Sequence, residues 1–304
     1  MKPTSLSSDP GPVKATPLNL CARDHVGAAF GAILADCLAQ MRGNAIGAAH
    51  SDEPEYIHQM RVGLRRLKSA LRLFGAQLPA PPALADELDW LAATLGQVRD
   101  WEVLSGDTVT SLTRLCPGET GLINLRAATG KIARQHRQAV AKALALPRFS
   151  GLIHTLETWG EQLQEQGAQP GEHDLQYLAD KSLRHAFNAI KRRSKHAANA
   201  SQRHRIRIAA KRLRYAIEFF AGLYAPRKIR RFAKEVTRLQ QTLGELNDAA
   251  VAQELLRDLA RRKPDLANSA GFARGALAAR AEQQLSQLAP RLRQLRRARA
   301  PFAC

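Results

Sequence analysis

Two segments of the chain carry basic side chains in the same order and at the same spacing. The segments run from Ile57 to Phe74 and from Arg203 to Phe220. With the histidines as register, the matching pairs are His58 and His204, Arg61 and Arg207, Arg65 and Lys211, Arg66 and Arg212, and Lys68 and Arg214. Arginine offers a planar fork for two oxygen atoms, lysine offers a mobile point charge, and both stay charged at neutral pH. The repeated residues are therefore suited to binding a chain of phosphate groups.

More basic side chains follow at helical spacing. Arg72 continues the first segment, and a second basic line begins after Tyr177. The second line consists of Lys181, Arg184, Lys191 and Lys195, and a weaker third line consists of Lys228, Arg231, Lys234 and Arg238. We predict that these residues join the ten repeated ones in an anion-binding site, with the third line contributing least.

Both repeated segments are predicted to be amphipathic helices. At about 100° per residue, Ile57, Leu64 and Phe74 fall on an apolar stripe, and most of the basic residues fall in a sector beside it. On a single helix such a sector is usually a solvated face whose long stems cover the edge of the core. A solvated face normally mixes acids with bases, whereas these sectors contain almost no acid besides Glu218. The unrelieved repulsion indicates an external anion.

Two features beside the basic sectors have open interpretations. His58 and His204 could be packed, hydrogen-bonded residues, or could donate to a phosphate oxygen and become cationic when the anion raises their pKa. A second repeat, TLGQVRD ending at Asp100 and TLGELND ending at Asp248, follows each basic segment. Its glycines and aspartates are interpreted as helix-packing and capping residues, with the orientation of nearby arginines as the alternative.

The chain is predicted to be all-α, because apolar residues recur at three and four positions and strand patterns are nearly missing. We predict helices near residues 25–47, 55–75, 83–113 with a break at LGQVRD, 122–165, 174–198, 202–222, 227–262 and 267–297. The duplication predicts two four-helix bundles related by a pseudo-twofold axis. The predicted organisation is a flexible tail over 1–22, a first bundle over 23–168 and a second, strongly basic bundle over 171–304, with the seam near 166–171.

Charge is the outlying feature of the composition. The chain has 46 Lys and Arg against 27 Asp and Glu, a net charge of +19. Residues 1–170 carry 17 basic and 16 acidic side chains, whereas residues 171–304 carry 29 and 11, which predicts a polyanionic partner. The sequence contains neither an apolar run of the roughly 18–20 residues that span a membrane nor a secretory signal, so a cytoplasmic location is expected. The four scattered cysteines are expected to be reduced.

Patterns associated with catalysis are incomplete. Glu53 and Glu55 have the spacing of the ExExK strand of triphosphate-tunnel hydrolases, but Ile57 replaces the lysine and no strands follow. A Walker A interpretation of Gly130 and Lys131 fails because Leu125 replaces the first glycine. Acids are absent from the basic sectors, so nothing evident would hold the Mg²⁺ that phosphoryl transfer needs. We predict a non-enzymatic protein with no cofactor and no metal.

The two basic segments, HxxRxxxRRxK and HxxRxxxKRxRY, each followed by TLGxxxD, resemble the signature helices of the CHAD family, the conserved histidine α-helical domain. The resemblance extends over nearly the whole chain after about residue 23. It implies two four-helix bundles around a basic central groove or channel that binds inorganic polyphosphate. It also implies a role at cytoplasmic polyphosphate granules, with polyphosphate-metabolising enzymes or granule proteins as partners, and it assigns binding to the ten repeated residues.

Two other classes of function stay open at this point. A DNA or RNA binder would suit the sequence pI near 10.6, and nonspecific nucleic-acid binding is expected at low salt. Aromatic residues are only 5% of the chain and do not alternate with the basic sectors, which argues against base stacking. A scaffold for an acidic protein or an anionic membrane surface could use the C-terminal Arg291, Arg293, Arg296, Arg297 and Arg299.

Overall fold

A computed structural model describes residues 11–165, 175–194, 197 and 199–302. These residues form α-helices with short connections, and no strand occurs among them. The helices are α1 Val26–His50, α2 Pro54–Phe74, α3 Leu84–Glu102, α4 Thr110–Leu115, α5 Thr120–Leu144, α6 Pro147–Glu165, α7 Leu175–Arg193, α8 Ala200–Phe220, α9 Pro226–Arg262 and α10 Ala267–Arg297. The all-α prediction is confirmed, and the predicted seam at 166–171 lies outside the described residues.

The predicted break at LGQVRD is wrong. Leu95 and Val98 are both fully buried, so this segment keeps its helical register to the end of α3. The irregular stretch comes one turn later, where Val103–Val109 forms a π-helix that leads into α4. Wide turns of this kind are frequent at functional sites.

Local sequence fixes the starts of the two basic helices. Pro54 occupies the first turn of α2, where its missing N–H costs nothing, and the side chain of Glu53 accepts from the Glu55 N–H. Asn199 and Gln202 form a reciprocal capping box at the start of α8, with hydrogen bonds of 2.9 and 3.2 Å. These caps fix where each basic helix begins.

The helices pack around a core shared by both parts of the chain. α1 packs on α2 and α7 on α8, while α2 and α8 contact each other. The rings of Phe74 and Phe220, at matching positions of the two segments, lie 5.8 Å apart between centroids. Among the described residues, six helices (α1–α6) come before the predicted seam and four (α7–α10) come after it. The two parts therefore differ in helix number, and the division into two four-helix bundles stays a prediction.

Chain segments outside the helices also join the core. Val13 exchanges backbone hydrogen bonds with the buried Asn44 side chain at 3.0 and 2.8 Å, and Leu20 is buried. The prediction of a flexible tail over 1–22 is therefore wrong for residues 13–20, because α1 offers them a polar partner and an apolar surface. At the other end, Phe302 packs on the rings of Phe187 and Phe232.

Candidate functional site

A central cavity of about 210 Å³ lies where α2, α3, α8 and α9 meet. Its wall combines the basic faces of α2 and α8 with the TLG repeats of α3 and α9. The lining residues are His58, Arg61, Arg65, Arg99, Asp100, Val103, Arg207, Lys211, Asn247, Asp248, Val251 and Ala252. The structure thus brings five of the predicted binding residues from two distant segments into one enclosure.

The cavity lies where the hydrophobic core is interrupted. Along α3, the main core cluster ends at Val98 and a second cluster begins at Leu104. Along α9, the same two clusters end and begin at Leu243 and Ala249. The polar ends of the two TLG repeats occupy these gaps. The repeats therefore separate two apolar clusters and leave polar space between them.

The basic groups of the central cavity are partly buried and repel one another. Burial lowers the pKa of Lys211 to about 7, and the neighbouring Arg207, Arg65 and Arg61 contribute to the decrease. Burial also lowers the pKa of Arg61 and of Arg207. The pKa of His58 is lowered by burial and by Arg99, which favours the neutral imidazole. Such shifts show that positive charge in this cavity is costly without a nearby anion.

Two carboxylates share the cavity, contrary to the expectation that acids are absent from the basic surfaces. Asp100 and Asp248 both line it, one from each TLG repeat. The sequence projection missed them because they come from α3 and α9, whereas it considered each basic helix separately. The side-chain Nε atoms of Arg65 and Arg207 are buried and have no hydrogen-bond partner among the described residues. The carboxylates therefore only partly compensate the basic groups.

Arg66 lies outside the central cavity. Only 1% of its side chain is exposed, and its guanidinium bridges Asp36 of α1 at 2.6 Å and Glu218 of α8 at 2.5 Å. Gln40 accepts a further hydrogen bond from it at 3.2 Å. Arg66 thus connects three helices, and internal partners already neutralise its charge. We therefore exclude it from the candidate anion site.

Five other predicted residues of these helices point away from the central cavity. Lys68 pairs with Asp89 of α3, and Arg214 lies over the ring of Tyr215, 4.4 Å from its centroid. Arg72, Lys181 and Arg212 line a separate groove of about 300 Å³ between α2, α7 and α8. The basic residues predicted to form one anion-binding site are therefore divided between two enclosures.

The remaining predicted positions in the described part of the chain do not line the central cavity. Arg184, Lys228, Arg231 and Lys234 are exposed, and none of them lines the central cavity. Lys191 lies 4.3 Å from the ring centroid of Phe187, and Arg238 pairs with Glu235 at 2.8 Å. Lys195 lies outside the described residues.

The two histidines have different surroundings. His58 is partly buried and lines the central cavity, whereas His204 is exposed in a larger cavity of about 600 Å³ between α8, α9 and α10. Arg207 and Asn247 line both cavities, so the two spaces are adjacent. A flexible ligand could extend from one cavity into the other.

A comparison against protein families matches the CHAD domain to residues 32–257, a range that contains both basic helices and both TLG repeats. The chain belongs to the CHAD domain family. Two uncharacterized proteins from two strains of Mycobacterium tuberculosis are each 30% identical over 221 residues, which is 69% of this chain and 41% of each relative. The chain spans about two-fifths of the length of these curated relatives.

Solved structures support the same CHAD assignment. The crystal structure of the CHAD domain from the plant Ricinus communis is 37% identical, with a TM-score of 0.87 over 96% of this chain and 99% of that chain. PptA from Streptomyces chartreusis shares the fold at 18% identity, with a TM-score of 0.63 over 90% of this chain and 99% of that chain. The CHAD family is associated with polyphosphate binding in general, and its domain is generally a binding rather than a catalytic unit.

Four polar cavity residues of this CHAD domain were not predicted as site residues. They are Arg99, Asp100, Asn247 and Asp248, all from the two TLG repeats. The signal was present, because the TLG repeats follow the two basic segments at nearly the same distance. Their polar ends were interpreted as structural because the sequence alone does not show that α3 and α9 meet α2 and α8 at one point.

The described part of this CHAD domain contains neither a metal-binding cluster nor a membrane-spanning helix. Among residues 11–165, 175–194, 197 and 199–302, no group of three or more His, Cys, Asp or Glu side chains could hold a metal ion. Over the same ranges, no helix combines the length and the apolar character needed to cross a bilayer.

Proposed function

We propose that the central cavity binds inorganic polyphosphate. The observation that carries the proposal is the convergence of six basic side chains from α2, α3 and α8 on one enclosure with only two carboxylates. Phosphate oxygens accept hydrogen bonds from arginine and lysine, and a chain of phosphates presents a negative charge at each unit. The repeated spacing of the basic residues suits such a repeating ligand.

The electrostatics of the central cavity favour an anionic ligand. The basic groups are too buried to be a solvated face, and their lowered pKa values reflect burial and mutual repulsion. A bound polyanion would supply acceptors and opposite charge, and would restore the charged form of Lys211. Release of counterions from the ligand would add to the affinity.

The shape of the cavity favours an unbranched phosphate chain over nucleic acid. Its apolar lining consists of Val103, Val251 and Ala252, and among the described residues that line it there is no Phe, Tyr or Trp on which a base could stack. The adjacent cavity at His204 offers space for the chain to continue.

A calorimetric titration with long-chain polyphosphate tests this function. The variant Arg65→Ala with Lys211→Ala removes one cation from each basic helix in the same cavity. We expect its affinity to fall at least about tenfold, because charge-assisted hydrogen bonds contribute most to such contacts. Unchanged affinity together with retained helicity would contradict the proposed site.

We further propose that binding places the protein at polyphosphate granules or regulates an enzyme of polyphosphate metabolism. A tagged protein should concentrate at granules in a bacterium that accumulates polyphosphate, and Arg65→Ala with Lys211→Ala should distribute diffusely. Granule association that persists in this variant would show that localisation depends on another surface or a protein partner.

A further inference from the structure

The groove between α2, α7 and α8 combines an apolar floor with basic walls. Leu73, Ala76 and Leu178 form apolar parts of its lining. The basic parts of the lining are Arg72, Lys181, His185 and Arg212, and all four side chains are exposed. Among the described residues that line this groove there is no aspartate or glutamate. The groove shares no lining residue with the central cavity.

The register of the repeat relates this groove to a counterpart region, the filled surroundings of Arg66. The constant offset that pairs Arg66 with Arg212 also pairs Ser69 with Tyr215, Arg72 with Glu218 and Leu73 with Phe219. The groove and its counterpart are therefore built from matching positions of α2 and α8. Differences between them can be compared residue by residue.

The burial pattern extends this register to α1 and α7. Buried residues Ala29, Phe30, Leu34, Cys37 and Met41 of α1 have the same spacing as Leu178, Ala179, Leu183, Ala186 and Ile190 of α7, which are also buried. In this alignment Asp36 corresponds to His185, and Ile33 corresponds to Ser182. Asp36 contacts Arg66, and both His185 and Ser182 line the groove.

The counterpart region is filled and internally neutralised. Arg66 is buried between the carboxylates of Asp36 and Glu218, and its guanidinium lies 5.8 Å from the ring centroid of Phe219. Tyr215, only 2% exposed, stacks on Phe219 with 6.4 Å between the ring centroids, and Ile33 is fully buried. Two carboxylates and the Phe219 ring therefore contact one guanidinium, and a second ring packs behind Phe219.

In the groove, basic side chains replace the two carboxylates and smaller side chains replace the larger ones. The positions of Asp36 and Glu218 are taken by His185 and Arg72, so Arg212 meets bases where Arg66 meets acids. The positions of Tyr215, Phe219 and Ile33 are taken by the smaller Ser69, Leu73 and Ser182. The small residues leave the space of about 300 Å³, and the lost carboxylates leave positive charge beside it.

We propose that this groove is a second anion site, for a small organic phosphate such as a nucleoside diphosphate. The phosphates would supply the negative charges that Asp36 and Glu218 supply in the counterpart region. The apolar or aromatic body would take the space of the missing rings, against Leu73 and Leu178. This proposal does not depend on polyphosphate binding in the central cavity, because the two enclosures share no lining residue.

Titration of the full chain with ADP and with inorganic pyrophosphate tests the proposal. Wild type should bind ADP, and Arg212→Ala should weaken binding by about tenfold or more through loss of a charge-assisted contact. Ser69→Tyr with Leu73→Phe copies the filled region and should abolish ADP binding by occupying the space. Arg61→Ala, in the central cavity, should leave ADP binding unchanged.

Each outcome separates the two sites. Loss of ADP binding in the groove variants with unchanged polyphosphate affinity supports the proposal. No ADP binding by wild type, or loss in Arg61→Ala and not in Arg212→Ala, overturns it. Pyrophosphate binding as tight as ADP binding, measured in Arg65→Ala with Lys211→Ala so that the central cavity does not contribute, overturns the organic part of the ligand assignment. Circular dichroism and thermal melting verify that the variants fold, and Arg72→Glu provides a second variant that restores an internal carboxylate beside Arg212.

Discussion

Arg61 of α2 and Arg207 of α8 occupy matching positions in the two basic segments and line the same central cavity. Burial lowers the pKa of both guanidinium groups, and Arg65 lies close enough to contribute repulsion to each. Two cations separated by more than a hundred residues are thus held together without full internal compensation. Such a pair is electrostatically unfavourable until an anion binds.

Replacement of both arginines should separate binding from folding. Arg61→Ala with Arg207→Ala is expected to weaken polyphosphate binding by about 100-fold, since two charge-assisted contacts are lost. The melting temperature should stay the same or rise, because mutual repulsion is removed. Calorimetry and thermal melting measure the two effects.

The matched control for this variant is Arg126→Ala with Arg280→Ala. Both control residues are exposed, and neither lines the central cavity. The control removes the same net charge and should change affinity only about twofold at 0.15 M salt, where long-range effects are screened. Equal losses in the two double variants would mean that total charge, rather than the cavity, governs binding.

Polyphosphate affinity should decrease as pH rises through about 7. The pKa of Lys211 in the free protein is lowered to about 7, and a bound polyanion would raise it, so binding takes up a proton. Affinity should therefore fall about three- to tenfold between about pH 6 and pH 8.5. Lys211→Arg, which stays charged, should flatten this dependence. An equal slope in wild type and in the variant would assign the proton to another group.

The same lowered pKa affects the stability of the free protein. Because the unfolded state holds the Lys211 proton to higher pH than the folded state, this group makes the free energy of unfolding rise as pH increases above about 7. Urea unfolding at two pH values, compared with Lys211→Met, isolates this contribution. A pH dependence that is identical in the variant would contradict the assignment.

Arg66 and Arg212 should differ in their contributions to stability. Arg66→Ala leaves the carboxylates of Asp36 and Glu218 without their buried partner and should lower the free energy of unfolding by about 3 kcal/mol. Arg212 is exposed, so Arg212→Ala should change it by only about 0.5 kcal/mol. Urea denaturation of both variants measures the difference. Similar losses would mean that Arg212 has an internal role equivalent to that of Arg66.

Removal of the cavity carboxylates distinguishes two roles for them. If Asp100 and Asp248 act only as partial counter-ions, Asp100→Asn with Asp248→Asn should tighten polyphosphate binding roughly fivefold. Titrations with and without Mg²⁺ provide the measurement. If this variant binds polyphosphate more weakly than wild type only when Mg²⁺ is present, the carboxylates instead hold a cation against the phosphates.

The two histidines should contribute unequally. His58→Gln removes a side chain of the central cavity and should weaken binding about three- to tenfold, the effect of one hydrogen bond. His204→Gln changes an exposed residue of the adjacent cavity and should have a smaller effect with short chains than with long ones. Titration with short and long polyphosphate compares them. A larger loss for His204 with short chains would move the primary site to the adjacent cavity.

Helix content was largely predictable because local patterns determine it. The apolar stripe of α2, the proline at its first turn and the capping residues of α8 depend only on nearby sequence. The π-helix at Val103–Val109 and the packing of residues 13–20 on α1 were not predicted. Both depend on contacts with chain segments that are distant in sequence, which periodicity does not report.

The candidate site was predictable only in part for the same reason. Helical projection located Arg61 and Arg65 on one face of α2 and Lys211 on the matching face of α8, because the face of a residue depends only on its own helix. It did not distinguish Arg66, which points toward Asp36 and Glu218, because a buried and an exposed arginine have the same sequence spacing. The separation of Arg212 into another groove depends on the placement of α7 beside α2 and α8.

A competition titration at about 0.15 M salt tests the central claim most directly, since nonspecific phosphate contacts weaken at that ionic strength. Labelled long-chain polyphosphate bound to the full chain is challenged with excess duplex DNA and single-stranded RNA at equal phosphate concentration. If the central cavity selects an unbranched phosphate chain, polyphosphate stays bound in wild type and dissociates readily from Arg61→Ala with Arg207→Ala. Displacement by DNA or RNA at equal phosphate concentration would contradict selectivity and assign the basic surfaces to nucleic-acid binding.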